Sequence, residues 1–174
     1  DTFEHLHTLE FYATQCESIL ELGVWNPVST FGFLYGLLHN YKDIKKLRSV
    51  DTIRMPSLDP VYRIAKENNI EFSYEILNDL KLDNLEPVDM TFIDTWHVYG
   101  QLKRELQKFA PYTKKWIIMH DTVVDGMLGE SGLMSAIKEF IAANPDWAVD
   151  VVRQGNNGLV ILKRVSGEPW KAPI

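Results

Sequence analysis

The sequence has a single cysteine, no long apolar run and no excess of basic residues, and each absence narrows the possible functions. Cys16 alone cannot form an intrachain disulfide, so the chain is compatible with a reducing compartment. No apolar stretch approaches the roughly 18 residues that a membrane span needs. The net charge of −6 over 174 residues argues against a broad electrostatic contact with polyanions. We therefore expect neither a nucleic-acid partner nor a membrane span.

Two motifs of common enzyme classes are also missing. No G-x-G-x-x-G follows the first predicted strand, which disfavours a nicotinamide-dependent oxidoreductase. No G-x-S-x-G is present, which disfavours a hydrolase with a nucleophile elbow. Cys16 lies among apolar residues without a basic neighbour that would activate its thiol, so it is interpreted as structural.

The chain length and the first residues set the expected domain organisation and location. The length of 174 residues is typical of a single domain, with an N-terminal helix over 1–18, an α/β core over 19–164 and a loose tail over 165–174. The chain begins with Asp1 rather than Met, which suggests a domain excised from a longer chain. Because no signal peptide is visible, a cytoplasmic location is the default expectation.

Short runs of strand-forming residues alternate with helical patterns along the chain. The pattern predicts strands over 19–24, 47–51, 71–76, 88–93, 115–119, 147–153 and 159–163. It predicts helices over 2–18, 31–40, 60–68, 98–109 and 133–143, and Ser29 or Thr30 can cap the second of them. The glycine-rich segment 125–132 is interpreted as a mobile loop, and 155–158 as the turn of a hairpin.

This alternation predicts an α/β fold with a Rossmann-like, doubly wound sheet. The sheet is expected to have seven strands, mostly parallel, with an antiparallel C-terminal hairpin and with helices on both faces. In such a fold the carboxyl ends of the strands form the ligand crevice.

Carboxylate and imidazole groups follow two neighbouring predicted strands. Asp94 comes directly after strand 88–93, and His97 follows three residues later. Strand 115–119 is followed in the same way by His120 and Asp121. Because the carboxyl ends of parallel strands share one edge of the sheet, we expect these side chains to meet. Two carboxylates there supply half of a coordination shell for a hard divalent cation such as Mg²⁺.

Two further features point to the same crevice. The strand, Gly23 and the following helix would place backbone N–H groups and a helix N-terminus toward an anionic group, although Gly23 could serve only to allow a positive φ. Asp51 ends the second strand, where a carboxylate can accept hydrogen bonds from two ribose hydroxyls. Asp51 could equally be a solvated turn residue or pair with Arg54.

The order of these motifs resembles the class I methyltransferases that use S-adenosylmethionine, and especially the small metal-dependent O-methyltransferases of sugar and macrolide hydroxyls. The resemblance covers 19–163. It rests on five motifs: Glu21-Leu22-Gly23-Val24 followed by Ser29-Thr30; Asp51; Phe92-Ile93-Asp94-x-x-His97-x-Tyr99; His120-Asp121-Thr122; and Asn156-Asn157-Gly158-Leu159.

The resemblance implies a set of site residues and two cofactors, S-adenosylmethionine and a divalent metal. The implied cofactor contacts are Glu21, Gly23, Val24, Ser29, Thr30, Asp51, Asn78, Asp79 and Asp94. The implied metal ligands are Asp94, His120 and Asp121, and an imidazole ligand would favour Mn²⁺ over Mg²⁺. His120 could instead contact the substrate.

The resemblance also assigns the proton transfer and the acceptor site. His97 is the expected general base, because its ordinary pKa of about 6.5 suits proton removal at neutral pH. Trp96 and Tyr99 could stack on an acceptor, or could equally be core residues at the start of a helix.

The resemblance implies transfer of a methyl group to a hydroxyl of a sugar, glycan or other small molecule. It also suggests an association or fusion with glycosyltransferase domains. The alternative is a non-catalytic, regulatory or scaffolding domain of a glycan-modifying protein. The loop 25–28 favours this alternative, because it carries Trp25 and Pro27 where the family has glycines. The presence of Asp94, His97 and Asp121 opposes it.

Overall fold

The computed structural model describes residues 2–55, 58–123 and 132–165. All but one residue of the predicted mobile loop (125–132) and all but one of the predicted loose tail (165–174) lie outside these residues.

The described residues form seven strands and five α-helices. The strands are Ser18–Leu22 (β1), Lys46–Asp51 (β2), Glu71–Ile76 (β3), Val88–Ile93 (β4), Thr113–His120 (β5), Trp147–Arg153 (β6) and Leu159–Arg164 (β7). The α-helices are Leu6–Ala13 (α1), Val28–Leu38 (α2), Asp59–Glu67 (α3), Tyr99–Phe109 (α4) and Leu133–Ala143 (α5). Short 3₁₀ turns cover Thr2–His5, Asp79–Lys81 and Ala110–Tyr112.

The seven strands form one sheet in the order β3-β2-β1-β4-β5-β7-β6. The strands β1 to β5 pair in parallel, and β7 pairs antiparallel with both β5 and β6. The chain leaves β1 toward β2 on one side and later returns to β4 on the other, which creates a switch point between β1 and β4. The predicted fold class is confirmed.

Helices cover both faces of the sheet and create two apolar cores. Alternate residues of each central strand point to opposite faces, so Ile19 packs with α1, α2 and α3, whereas Leu20 packs with α4 and α5. All six residues of β4 are buried, as expected for a central parallel strand.

The first predicted helix is too long. Helix α1 ends at Ala13, and Cys16 lies after it rather than inside it. Residue 17 is already tied to the sheet, since its N–H donates to Asp89 Oδ2 at 2.6 Å and its carbonyl accepts from Lys46 N at 2.8 Å. These bonds to the sheet replace the helical bonds that the apolar spacing had suggested.

The turn between β6 and β7 is confirmed and reaches toward β5. Asn156, Asn157 and Gly158 all have positive φ, which glycine and asparagine tolerate best. Val123 N donates to Asn157 O at 2.9 Å, so the turn is held beside the end of β5. Within the described parts of the chain, no helix is long and apolar enough to cross a membrane.

Candidate active site

A cavity of about 420 Å³ opens at the carboxyl ends of the parallel strands. Its described wall comes from the segments that follow β1, β2, β3, β4 and β5, and it includes Gly23, Val24, Trp25, Asp51, Asn78, Asp79, Asp94, Thr95, Trp96, His97, Gln101 and Asp121. The cavity therefore lies at the switch point, where ligands bind in folds of this type.

Gly23 brings the segments after β1 and β4 into contact. It has φ of +82°, and a Cβ at this position would lie 2.0 Å from Asp94 O. Asp94 N donates to Leu22 O at 2.8 Å, which extends the β1–β4 pairing to the edge of the cavity. No residue with a Cβ fits at this position. Gly23 is therefore required both for the positive φ and for the close approach of the two segments.

Glu21, Ser29 and Thr30 lie beneath the cavity rather than in its described wall. Glu21 is 0% exposed and accepts hydrogen bonds from Ser29 Oγ at 2.6 Å, Thr30 Oγ1 at 2.8 Å and Ser49 Oγ at 2.6 Å. Burial raises the pKa of Glu21 to about 7, although these hydroxyl donors oppose the rise. The predicted capping of α2 by Ser29 or Thr30 is wrong, because α2 begins at Val28 and both hydroxyls point to Glu21.

Asp51 is bound by the backbone of the loop that follows β1. Its Oδ2 accepts hydrogen bonds from Val24 N at 2.7 Å and Trp25 N at 3.0 Å, and its Oδ1 accepts one from Ile53 N at 3.2 Å. No ion pair joins Asp51 to Arg54, both of which lie in the described chain. Asp51 therefore holds the loop at the cavity edge. Because both of its carboxylate oxygens already accept backbone hydrogen bonds, fewer lone pairs are left to bind a ribose.

Trp25 combines an unusual backbone conformation with high exposure. Its φ is +32°, which is rare for a bulky residue and is strained, and its side chain is 75% exposed. Trp96, on the loop after β4, is 60% exposed and also belongs to the cavity wall. The cavity thus has two accessible indole rings.

Two carboxylates and two imidazoles meet at one end of the cavity. His97 Nε2 lies 2.7 Å from Asp121 Oδ2 and 3.5 Å from Asp94 Oδ1. His120 Nδ1 lies 3.4 Å from each of these two oxygen atoms. His120 Nε2 is 3.1 Å from Asn156 O, in the turn before β7. The predicted convergence of the four side chains is therefore present.

The four groups perturb one another strongly. Hydrogen bonds to Asp121 and then to Asp94 raise the pKa of His97 to about 9. Burial opposes protonation of His120, but the proximity of the same two carboxylates, each 3.4 Å from its Nδ1, raises its pKa to about 9 as well. The two imidazoles in turn hold the pKa of Asp121 and that of Asp94 below their ordinary value, against the effect of burial. Without an added cation, the two carboxylates are neutralised by two protonated imidazoles.

The arrangement is suited to a divalent cation. Asp94, His97 and Asp121 each offer a ligand atom within 4.8 Å of the other two. Asp121 Oδ1 is buried and has no hydrogen-bond partner among the described residues. This set contains His97, whereas the sequence predicted His120 as the imidazole ligand. His120 Nδ1 lies 3.4 Å from Asp94 Oδ1 and from Asp121 Oδ2, so the predicted ligand His120 is also within reach of these carboxylates.

Three further predicted site residues lie in different surroundings. Asn78 and Asp79 belong to the cavity wall, as expected for a cofactor contact after β3. Tyr99 does not belong to the described wall, because its hydroxyl donates to Glu139 Oε2 at 2.6 Å, on α5. Tyr99 therefore joins α4 to α5 rather than extending the cavity.

The sequence interpretation missed Thr95 and Gln101 in the cavity wall and Glu105 behind it. Gln101 Nε2 donates to Asp79 Oδ1 at 3.2 Å and to Glu105 Oε1 at 2.6 Å. The available signal was helical spacing, because Gln101 and Glu105 are four residues apart and share one face of α4. A polar pair on the apolar face of a helix is a sign of a buried polar network.

Solved structures that match this architecture include methyltransferases, two of them in complex with S-adenosylmethionine or S-adenosylhomocysteine. An O-methyltransferase from Bacillus cereus in complex with S-adenosylhomocysteine has a TM-score of 0.66, with 17% identity over 93% of this chain and 81% of its own. The O-methyltransferase TomG from Streptomyces achromogenes, in complex with S-adenosylmethionine and involved in tomaymycin synthesis, has a TM-score of 0.64, with 14% identity over 94% of this chain and 80% of its own. A methyltransferase from Geobacter sulfurreducens has a TM-score of 0.64, with 14% identity over 94% of this chain and 79% of its own.

These identities show a shared fold. The sequence matches no protein-family model and no curated protein. The fold is therefore that of the class I S-adenosylmethionine-dependent methyltransferases, and the chemistry of this chain has to be argued from its own residues.

Proposed function

We propose that this protein is an S-adenosylmethionine-dependent O-methyltransferase that uses a divalent metal and acts on an uncharged hydroxyl compound such as a sugar or glycan. The observation that carries the proposal is the cluster of Asp94, His97 and Asp121 at one end of a cavity in a class I methyltransferase fold. A carboxylate pair with an adjacent imidazole suits activation of a hydroxyl group.

The charge of the cavity supports the choice of cofactor and acceptor. Asp51, Asp79, Asp94 and Asp121 belong to the described wall, which contains no lysine or arginine. The sequence of 124–131, outside the described residues, contains neither of these residues. Such a site attracts a cationic sulfonium and disfavours a phosphorylated acceptor. The exposed rings of Trp25 and Trp96 suit the apolar faces of sugar rings.

The proposed reaction assigns a role to each charged group. Asp94, Asp121 and the predicted ligand His120 would hold a Mg²⁺ or Mn²⁺ ion, which when bound lowers the pKa of an acceptor hydroxyl. His120 Nδ1 lies 3.4 Å from an oxygen of each carboxylate, so His97 Nε2 stays free to take up a proton. His97 Nε2 accepts the hydroxyl proton as the oxygen forms a bond to the methyl carbon and the carbon–sulfur bond breaks. Because Asp94 and Asp121 raise the pKa of His97, neutralising their charge would return His97 toward its ordinary pKa of about 6.5 and let it act as a base.

The cofactor contacts of Glu21, Gly23, Val24, Ser29, Thr30, Asp51, Asn78 and Asp79 are part of this proposal. The positions of Glu21, Ser29 and Thr30 beneath the wall support an indirect role, in which they fix the strand and helix that carry Gly23. An association with glycosyltransferase domains and a cytoplasmic location stay predictions from the sequence.

A non-catalytic role is the second candidate. It is favoured by the loop after β1, where Asp51 is already engaged by Val24 N and Trp25 N and the Trp25 ring borders the cavity. A cofactor would have to bind alongside these contacts or displace them.

Formation of S-adenosylhomocysteine tests the proposal. The purified protein is given S-adenosylmethionine and a panel of neutral sugars and glycosides, with Mn²⁺, with Mg²⁺ or with a chelator. We expect metal-dependent turnover that falls by about 100-fold or more in His97→Asn and is unchanged in His7→Asn, whose side chain is fully exposed. Binding of the cofactor without turnover of any acceptor in the panel would favour the non-catalytic candidate.

A further inference from the structure

A buried acidic pair joins the cavity wall, to which Asp79 belongs, to Glu105, which lies outside the described wall. Glu105 of α4 is 0% exposed, and Asp79 in the turn after β3 is 6% exposed. Glu105 Oε1 accepts hydrogen bonds from Thr95 Oγ1 at 2.5 Å and from Gln101 Nε2 at 2.6 Å. Gln101 Nε2 also donates to Asp79 Oδ1 at 3.2 Å. One helix thus connects the segment after β3 to the segment after β4.

The second oxygen of each carboxyl group has no other partner among the described residues. Glu105 Oε2 and Asp79 Oδ2 are both buried without a hydrogen-bond donor. The cations of α4 are bound elsewhere. Arg104, next to Glu105, donates to Gly100 O at 3.0 Å and to Gln101 Oε1 at 3.4 Å, whereas Lys103 Nζ pairs with Glu139 and Lys108 Nζ donates to Leu80 O. Two adjacent buried carboxylates without a cation would repel each other strongly in a medium of low dielectric constant.

We propose that Glu105 and Asp79 share one proton, and that this acid–carboxylate pair positions the two walls of the cofactor cavity. The proton lies between Glu105 Oε2 and Asp79 Oδ2, which satisfies both orphaned oxygen atoms and leaves one negative charge. The inference rests on the proposed function, because the cavity it positions is the proposed cofactor site. Glu105 is a positioning residue that touches no ligand itself.

The pair contacts both the wall after β3, through Asp79, and the wall after β4, through Thr95. Asp79 belongs to the wall after β3, next to Asn78, whose Oδ1 accepts from Leu80 N at 3.0 Å and so orders the turn. Thr95 lies between Asp94 and Trp96, in the segment that also carries His97. Loss of the shared proton would separate Asp79 from Glu105, and the wall after β3 would move away from the wall after β4.

The surroundings of Glu105 favour its protonated form. Burial and then the charge of Asp79 raise the pKa of Glu105 to about 8, whereas the bonds from Thr95 and Gln101 oppose the rise. The other charged groups on the packed elements include Lys81 after β3, Asp94 and His97 after β4, Lys103, Arg104 and Lys108 on α4, and Lys138 and Glu139 on α5. The shared proton is therefore retained at neutral pH and lost above about pH 8.

The test is the pH dependence of cofactor affinity in matched variants. Calorimetric titrations with S-adenosylhomocysteine between pH 6.5 and 9.5 compare the wild type with Glu105→Gln, Glu105→Ala and the exposed control Glu67→Gln. For the wild type and Glu67→Gln, we expect affinity to fall by about tenfold for each pH unit above pH 8, as loss of one proton requires. Glu105→Gln keeps a donor that cannot ionise, so its affinity should decline less steeply above pH 8 than that of the wild type, and any remaining decline belongs to groups common to both proteins, such as His97.

The variants separate positioning from simple structural damage. Glu105→Ala removes the connection altogether and should bind more weakly at every pH, and rescue by Glu105→Gln would show that the donor hydrogen is what matters. Equal pH profiles for the wild type and Glu105→Gln would overturn the proposal.

Infrared spectroscopy separates failure of this inference from failure of the proposed function. If the wild type binds no cofactor at any pH, the proposed function fails, while the shared proton is still observable as a carbonyl band of a protonated carboxyl group at pH 7. We expect this band in the difference between the wild-type and Glu105→Gln spectra. The absence of the band would overturn the shared proton independently of any ligand.

Discussion

At the scale of single residues, the proposed chemistry depends on the contacts of Asp94 and Asp121 with the two imidazoles, His97 and His120. The sequence located both carboxylates and both histidines, because each group follows an apolar strand. It could not tell which imidazole faces the carboxylates most closely, since that depends on the register of β4 and β5 and on the positive φ of Asp121. In the structure His97 makes the 2.7 Å contact with Asp121.

Substitution of Asp121 tests the proposed metal site. In Asp121→Asn we expect affinity for Mn²⁺ to fall by more than about 100-fold, because one of two anionic ligands becomes neutral. Isothermal titration with Mn²⁺ measures the change, and Asp83→Asn, at an exposed position, serves as the control. Equal Mn²⁺ affinities for Asp121→Asn and the wild type would exclude Asp121 as a ligand.

Trp25 provides a second test at this scale, directed at backbone strain. Asparagine tolerates positive φ better than tryptophan, and a side chain that is 75% exposed loses little packing. We therefore expect Trp25→Asn to increase the free energy of unfolding by about 1 kcal/mol, measured by urea denaturation. Tyr41→Asn, at a fully exposed position, should change it little. A less stable Trp25→Asn protein would show that the strain is compensated by contacts of the indole ring.

At the scale of elements, the largest errors of prediction lie at the limits of the first two helices. The strands β3, β4 and β6 and the helix α5 have the predicted limits. Helix α1 is shorter than predicted and α2 begins earlier, because hydrogen bonds at residue 17 and at Glu21 outweigh helical spacing and capping preference. Such contacts between distant residues are not visible in a local pattern.

The connection between β1 and β4 gives a prediction about two glycines. In Gly23→Ala the new Cβ would overlap Asp94 O at a position with φ of +82°, so we expect a loss of about 3 kcal/mol in the free energy of unfolding. In Gly100→Ala the new Cβ meets nothing within 4 Å, and α4 should gain about 0.5 kcal/mol. Urea denaturation of both variants measures the contrast, and equal effects would contradict the proposed close approach.

At the scale of the whole molecule, buried ionisable groups make stability depend on pH. Raised pKa values of Glu21, about 7, and Glu105, about 8, cost stability progressively as pH rises from about 4.5 toward those values, because the unfolded state loses its protons first. The raised pKa of His97 and that of His120, each about 9, contribute stability below about pH 6.5 that is lost as pH rises to 9. Among the described residues, the lowered pKa of His5 acts in the opposite direction, and the lowered pKa values of Asp89, Asp94 and Asp121 do so only below about pH 4.

We therefore expect the metal-free protein to lose stability steadily between pH 5 and pH 9. Urea denaturation at fixed ionic strength, in the presence of a chelator, measures the free energy of unfolding across this range. A free energy that is constant or that rises toward pH 9 would show that these groups are not buried and paired as described.

The overall architecture and the position of the site could be predicted from the sequence, whereas the state of the first loop could not. Alternating strands and helices predicted the doubly wound sheet, and the residues that end β1, β2, β4 and β5 predicted the crevice. The hydrogen bonds from Val24 and Trp25 to Asp51 depend on the φ of two loop residues, which no periodicity reveals. Whether the cavity accepts its cofactor therefore depends on the part of the site that the sequence predicted least well.

The most direct test of the account is calorimetric titration of the wild-type protein with S-adenosylmethionine and with S-adenosylhomocysteine. We predict saturable binding of both at one site per chain, with micromolar dissociation constants and with weaker binding in Gly23→Ala. Absence of binding by either nucleoside, in a protein that denatures cooperatively, would contradict the assignment of the cavity as a cofactor site.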